Sequence, residues 1–149
     1  MVNPGATVAC VTGESSIQMC LQELSTCKQY RLPIKIINLN NKYMGMVRQW
    51  QELLHGGRYA ESYMDALPDF VKLADAYHAV GIRCERPGDL DAAIREMIDI
   101  KKPVVVDVAV DKTENCFPMI PAGAAHCDML LGPNDRSQRP VSEEGMVLV

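Results

Sequence analysis

No stretch of this chain is apolar for the roughly 18–20 residues that a membrane-crossing helix needs. Its first residues, Met1-Val2-Asn3-Pro4, carry neither the basic nor the apolar segment of a secretory signal. Excess positive charge is lacking too: the formal net charge is −4, which argues against a nucleic-acid or anionic-membrane partner. None of the six cysteines forms a CxxC pair, and the spacing of Cys116, His126 and Cys127 matches no common zinc-ligand pattern. The expectation is buried free thiols in a reducing, cytoplasmic setting. There is no internal repeat and no low-complexity segment.

What is present is an alternation of apolar runs and helical patterns. At 149 residues the chain has room for at most one domain with a real core. Thr7 to Thr12 is a nearly continuous apolar run and reads as a strand buried on both faces, ended by Gly13. Ser15 or Ser16 is suited to cap a helix whose inward stripe is Ile17, Cys20, Leu21, Leu24 and Cys27, with its end near Tyr30-Arg31 ahead of Pro33. Ile34 to Leu39 is a second strand, completing a βαβ unit. Asn40-Asn41 turns the chain, Gly45 permits a tight or left-handed backbone, and Met46 to Leu54 is a short helix ended by Gly56-Gly57.

Asp69 is placed to cap a helix carrying Phe70, Leu73, Ala74 and Tyr77, and Val80 to Glu85 reads as a strand. Leu90, Ala93, Ile94, Met97 and Ile98 mark another helix, and Val104 to Val110 is the strand richest in β-branched residues. The pattern predicts an α/β fold, three-layered, with a mostly parallel sheet and helices on both faces. Cys116 to His126 is loop-like but apolar enough to pack against something. Pro133 to Glu144 is polar and expected to be mobile, and Met146 to Val149 is apolar for a chain end.

In open α/β sheets, ligands bind outside the carboxyl ends of strands. Glu14 and Asn41 both follow strands and so fall on that edge. A carboxylate and an amide carbonyl are hard oxygen ligands, a turn carbonyl near Tyr43 would add another, and the N-terminus of the helix from Ser16 suits a phosphate. Oxygen ligands with a diphosphate favour Mg²⁺. The same residues also fit an ordinary strand–turn–helix with a capping serine and a turn asparagine.

The segments Val11 to Met19 and Asn40 to Gln51, continued through Leu67 to Ala74 and Phe117 to Pro121, resemble the catalytic (large) subunit of acetolactate synthase, also called acetohydroxyacid synthase. The resemblance covers nearly the whole chain and corresponds to the C-terminal thiamine-diphosphate-binding domain. It implies such a domain over residues 1–132, incomplete at its N-terminus, with 133–149 as a tail. It implies thiamine diphosphate and Mg²⁺ as cofactors: Glu14 and Asn41 as metal ligands with the Tyr43 carbonyl, Gly13, Ser15 and Ser16 at the diphosphate turn, and Gly45 and Met46 against the cofactor. Trp50 matches the tryptophan that favours 2-ketobutyrate over pyruvate as second substrate, although a core aromatic reads the same way.

Three positions depart from the family pattern: Glu14 stands for an aspartate, Ser15 for a small residue that is often glycine, and Cys20 for an asparagine. Family members also carry a pyrimidine-binding domain with a catalytic glutamate, and a middle domain that can bind FAD. Neither fits this length, so no catalytic residue and no FAD are expected here. The family reaction decarboxylates pyruvate and joins the product to a second 2-ketoacid in branched-chain amino-acid biosynthesis. This chain is expected to be the diphosphate-binding part, inactive alone; the alternative is a non-catalytic remnant or interaction module. Homo-oligomers and a regulatory small subunit are the partners the resemblance implies.

Overall fold

The computed structural model describes residues 5–138. These fall into two compact units, one formed by residues 5–42 with Asp65–Asp111 and the other by Tyr43–Met64 with residues 112–138.

The first unit is built on four strands: β1 (Ala9–Gly13), β2 (Lys35–Asn40), β3 (Val80–Cys84) and β4 (Val104–Ala109). They lie in the order β1-β2-β4-β3, each neighbouring pair parallel. The helices that connect them are α1 (Glu14–Gln18), α2 (Glu23–Gln29), α4 (Phe70–Ala76) and α5 (Leu90–Asp99), with α3 (Gly45–Leu54) belonging to the second unit. Side chains alternate across a strand, so successive β4 residues serve opposite faces. Val105 joins Ile36, Ile17, Leu24, Phe70 and Ala74 in one core, under α1, α2 and α4. Val104, Val106 and Val108 join Cys84, Ala93 and Met97 in the other, under α5. Helices therefore cover both faces of a parallel sheet, as the alternating pattern predicts.

The first strand departs from expectation. Ala9, Cys10 and Val11 are exposed because β1 ends the row and takes a partner, β2, along one edge among the described residues. The thiols follow suit: all six are free, but only Cys27 and Cys84 are buried, while Cys10, Cys20, Cys116 and Cys127 are exposed. The expected single helix after Gly13 is two: α1 begins at Glu14, and the i→i−3 bonds Met19 N–H to Ser16 O and Cys20 N–H to Ile17 O end it before α2. Ser15 and Ser16 thus lie inside the first turn, and no side chain caps it.

Elsewhere the local signals hold. Asp69 accepts the Val71 and Lys72 N–H groups at 3.0 and 3.2 Å and receives Arg83 Nη2 at 2.6 Å. Gly56 and Gly57 take the left-handed backbone after α3. Lys35 is buried in β2, its ammonium donating to the carbonyls of Ile100 and Lys102 and pinning the turn before β4; burial pushes its pKa down, and Lys101 adds to the shift. Pro133–Gln138 forms a 3-10 turn, and the rest of the polar segment to Glu144 and the apolar Met146 to Val149 lie outside the described residues.

Candidate functional site

The site begins where β1 and β2 stop. Gly13 ends β1 in register with Leu39 and Asn40 ends β2, so Glu14 and Asn41 follow at the same carboxyl edge. The two predicted metal ligands are therefore brought to adjacent strand ends. Glu14 is 1% exposed and opens α1, and Asn41 is half-buried. Ser15 is half-buried and Ser16 exposed, both in the turn that Glu14 starts. Gly13 itself has room, since a Cβ there would come no closer than 3.9 Å to a neighbour, the carbonyl oxygen of Leu39.

A polar group missed by sequence reasoning sits beneath this edge. Asp107 lies in β4, in register with Asn38. Its Oδ1 accepts the Asn38 side-chain amide at 2.9 Å and the Asn40 amide at 3.1 Å. Asn38 and Asp107 are both buried, so the hydrogen bonds offset the cost of removing these groups from water. Together they fasten the last turns of β2, the segment that delivers Asn41. The signal was available in the sequence: an aspartate inside Val104-Val105-Val106-Asp107-Val108 and an asparagine inside Ile36-Ile37-Asn38-Leu39 are polar interruptions of strands buried on both faces.

Tyr43, Gly45, Met46 and Trp50 belong to the second unit. Tyr43 pairs with Tyr63 in an isolated antiparallel bridge, their rings 5.0 Å apart, and Met44 N–H donates to Ser62 O at 2.8 Å. Gly45, which permits a tight or left-handed backbone, is the first helical residue of α3, and the positive φ of 61° sits at Lys42. Met46, Val47 and Trp50 are 54%, 45% and 43% exposed, whereas Arg48 and Gln49 are 8% and 2%. The apolar residues of α3 thus face outward. With Gln51, His55 and Arg58 they line an open cavity of about 580 Å³. Trp50 is a cavity wall and not a core residue.

Among the described residues no three His, Cys, Asp or Glu side chains are grouped to hold a metal. Cys116, His126 and Cys127 are thus not part of such a group. A parallel α/β sheet with polar side chains gathered at its carboxyl edge is the class of fold that binds ligands outside its strand ends.

Comparison with known proteins gives that class its family. The model for "Thiamine pyrophosphate enzyme, C-terminal TPP binding domain" matches residues 1–108, and the chain belongs to this family. It is similar to the acetolactate synthase isozyme 3 large subunit of Escherichia coli (strain K12), with 46% identity over 140 residues, covering 92% of this chain and 24% of that protein. The acetolactate synthase large subunit of Haemophilus influenzae is 48% identical over 132 residues, covering 88% and 23%. Among solved structures, a Rhodococcus jostii RHA1 thiamine diphosphate-dependent 4-hydroxybenzoylformate decarboxylase superposes with a TM-score of 0.67 at 26% identity, over 72% of this chain and 20% of its own. The chain thus spans about a quarter of the length of the curated relatives it matches, and it resembles their thiamine-diphosphate-binding domain.

Proposed function

We propose that this chain is the diphosphate- and Mg²⁺-holding part of an acetolactate synthase large subunit, with the binding domain over residues 1–132 and a tail over 133–149. The observation that carries the reading is the meeting of Glu14 and Asn41 at adjacent parallel strand ends, within a match of 46% identity over 140 residues. The donor set fits the ion: a carboxylate and an amide carbonyl are the hard oxygens Mg²⁺ takes. The residues at the start of α1 fit the diphosphate, since no side chain caps its first turn. When bound, thiamine diphosphate supplies the electron sink for decarboxylation of a 2-ketoacid.

In this reading each residue has a binding task. Glu14, Asn41 and the Tyr43 carbonyl hold Mg²⁺; Gly13, Ser15 and Ser16 seat the diphosphate; Gly45 and Met46 lie against the cofactor. Asn38, Asn40 and Asp107 brace the strand that carries Asn41. Trp50 walls the second-substrate cavity and favours a longer ketoacid. Catalysis then requires groups from outside these residues, so the chain alone turns over nothing. Its partners are 2-ketoacids, further copies of the large subunit and a regulatory small subunit, in the cytoplasm, in branched-chain amino-acid biosynthesis.

Calorimetric titration with thiamine diphosphate, with and without Mg²⁺, tests the reading. Binding near 1 μM, or about 8 kcal/mol, that depends on Mg²⁺ is the expected outcome. A second reading, a non-catalytic module of the same fold, is favoured by Glu14, Ser15 and Cys20, the three departures from the family pattern. No detectable binding would select it.

A further inference from the structure

The polarity of α3 is inverted. A surface helix ordinarily buries its apolar stripe and exposes its polar one, yet α3 buries Arg48 and Gln49 and exposes Met46, Val47 and Trp50. Hydrophobic burial is non-directional and tolerates rotation of a helix about its axis. Hydrogen bonds do not tolerate it, and those made by the inner face of α3 are unusually complete.

Gln49 reads both backbone groups of one residue. Its Oε1 accepts the Cys116 N–H at 2.7 Å, and its Nε2 donates to the Cys116 carbonyl at 3.1 Å and to Met119 Sδ at 2.9 Å. This is the pairing a strand would make, supplied by a side chain, and it fixes one point of the helix against the 115–119 segment. One residue earlier, Arg48 closes a ring of polar contacts. Its Nη1 lies 3.0 Å from Glu52 Oε2 and donates to Asn115 Oδ1 at 3.2 Å, while Asn115 Nδ2 donates to Glu52 Oε2 at 3.2 Å. The guanidinium also lies against two rings, 5.7 Å from the centroid of Tyr43 and 5.3 Å from that of Tyr59, the contact that favours Arg over Lys. Four stretches of the second unit, at Tyr43, α3, Tyr59 and 115–119, meet at two adjacent side chains.

We propose that Gln49 and Arg48 are positioning residues: they latch α3 at one rotation about its axis, so that Met46 and Trp50 stand at the ligand cavity and the Tyr43 turn is held at the start of the helix. The ligand class, thiamine diphosphate with Mg²⁺ and a 2-ketoacid, rests on the function proposed above; the latch itself does not. One residue of rotation would move Trp50 by about 100° around the axis and take it from the cavity.

Trp50 is the only tryptophan in the chain, so its fluorescence reports this helix alone. Gln49→Met keeps length and bulk and removes both bonds to Cys116; Arg48→Lys keeps the charge for Glu52 and removes the flat group between the rings. In the ligand-free full chain, Trp50 in Gln49→Met is expected to show faster acrylamide quenching and lower anisotropy, with far-UV circular dichroism unchanged. Titrated with thiamine diphosphate and Mg²⁺ at a temperature where urea melts show the variant fully folded, Kd rises about tenfold, the loss of roughly one good pair of neutral hydrogen bonds. Gln49→Glu keeps the acceptor for Cys116 N–H but sets a carboxylate oxygen against the Cys116 carbonyl, and is expected to show the same changes as Gln49→Met. A folded Gln49→Met with wild-type quenching, anisotropy and Kd overturns the latch, as does a Kd change that disappears once the folded fraction is held constant. If Gln49→Met does not fold, Arg48→Lys is judged by the same readouts. If the unmodified chain binds no cofactor, the proposed function fails while quenching and anisotropy still decide the latch.

Discussion

Gly81 fixes how closely α4 approaches the sheet, and replacing it with alanine tests the packing of the first unit. Gly81 lies in β3, in register with Val105, on the face whose core holds Phe70 and Ala74 of α4. A Cβ at this position would stand 2.7 Å from Val71 Cα, 2.7 Å from Val71 O and 2.9 Å from Val71 Cγ1. Carbon atoms in contact prefer about 3.5–4.0 Å. Two of the three obstructing atoms are backbone, so no rotamer change relieves the clash and α4 must recede by about 1 Å, a gap that forfeits a quarter to a half of each dispersion contact it widens. Overpacking of this kind costs about 1–3 kcal/mol, and the rigid obstacle puts Gly81→Ala at the upper end. The smaller entropy of the unfolded alanine chain returns about 0.4–1 kcal/mol, leaving a net loss of about 2 kcal/mol. With a urea m-value of about 2 kcal/mol/M, the midpoint should fall by about 1 M, read by far-UV circular dichroism. Gly88→Ala is the control, because a Cβ there meets nothing within 4 Å; it should be neutral or stabilising by up to about 1 kcal/mol. Gly81→Ala melting with the unmodified chain, or Gly88→Ala losing as much as Gly81→Ala, would refute the reasoning.

The remaining predictions concern the core, the acid limb and the metal edge. Phe70, the fully buried first residue of α4, should cost about 3–5 kcal/mol when changed to alanine, read by chemical denaturation. The Asp69 carboxyl is held below its ordinary pKa of 3.8, chiefly by the Lys72 N–H, with Arg83 and the Val71 N–H adding to it. An aspartate whose folded pKa is depressed contributes stability that is present above the unfolded value and lost as pH falls through the folded one, so stability should decline below about pH 4 and Asp69→Asn should flatten that decline. Glu14→Asp, one methylene shorter, should tighten Mg²⁺-dependent thiamine diphosphate binding, each tenfold gain being about 1.4 kcal/mol; calorimetry showing weaker binding would remove Glu14 from the ligand set.

Much of the sheet was legible because its strands are apolar runs bounded by turn residues. Val104–Ala109 is recognisable from its valines alone, and the Asp69 cap announces α4. The exposure of β1 was not legible, since an apolar run says that a strand forms but not how many neighbours it has. The break between α1 and α2 was not legible either, because residues 19–22 contain neither glycine nor proline and nothing in them accounts for it. At the site, Glu14 and Asn41 could be placed by counting strand ends. Asp107 could have been found by asking why a buried strand carries a carboxylate. In the turn into α3 glycine permits a left-handed backbone without requiring it, and Lys42 is the residue that adopts that conformation.

The orientation of α3 shows what periodicity leaves undetermined. A helical pattern with Met46, Val47 and Trp50 on one side and Arg48, Gln49 and Glu52 on the other states that two faces differ; it does not say which one is inside. That choice is made by what the helix meets. A segment with little regular structure, such as the one around Asn115 and Cys116, brings backbone N–H and carbonyl groups that no strand or helix satisfies, and burying them unpaired costs more than exposing a few apolar side chains. A polar helix face supplies their partners, so Gln49 turns inward to Cys116. Among the described residues the apolar face is then left outward. An inverted helix next to irregular backbone is therefore legible only when the loop and the helix are considered together.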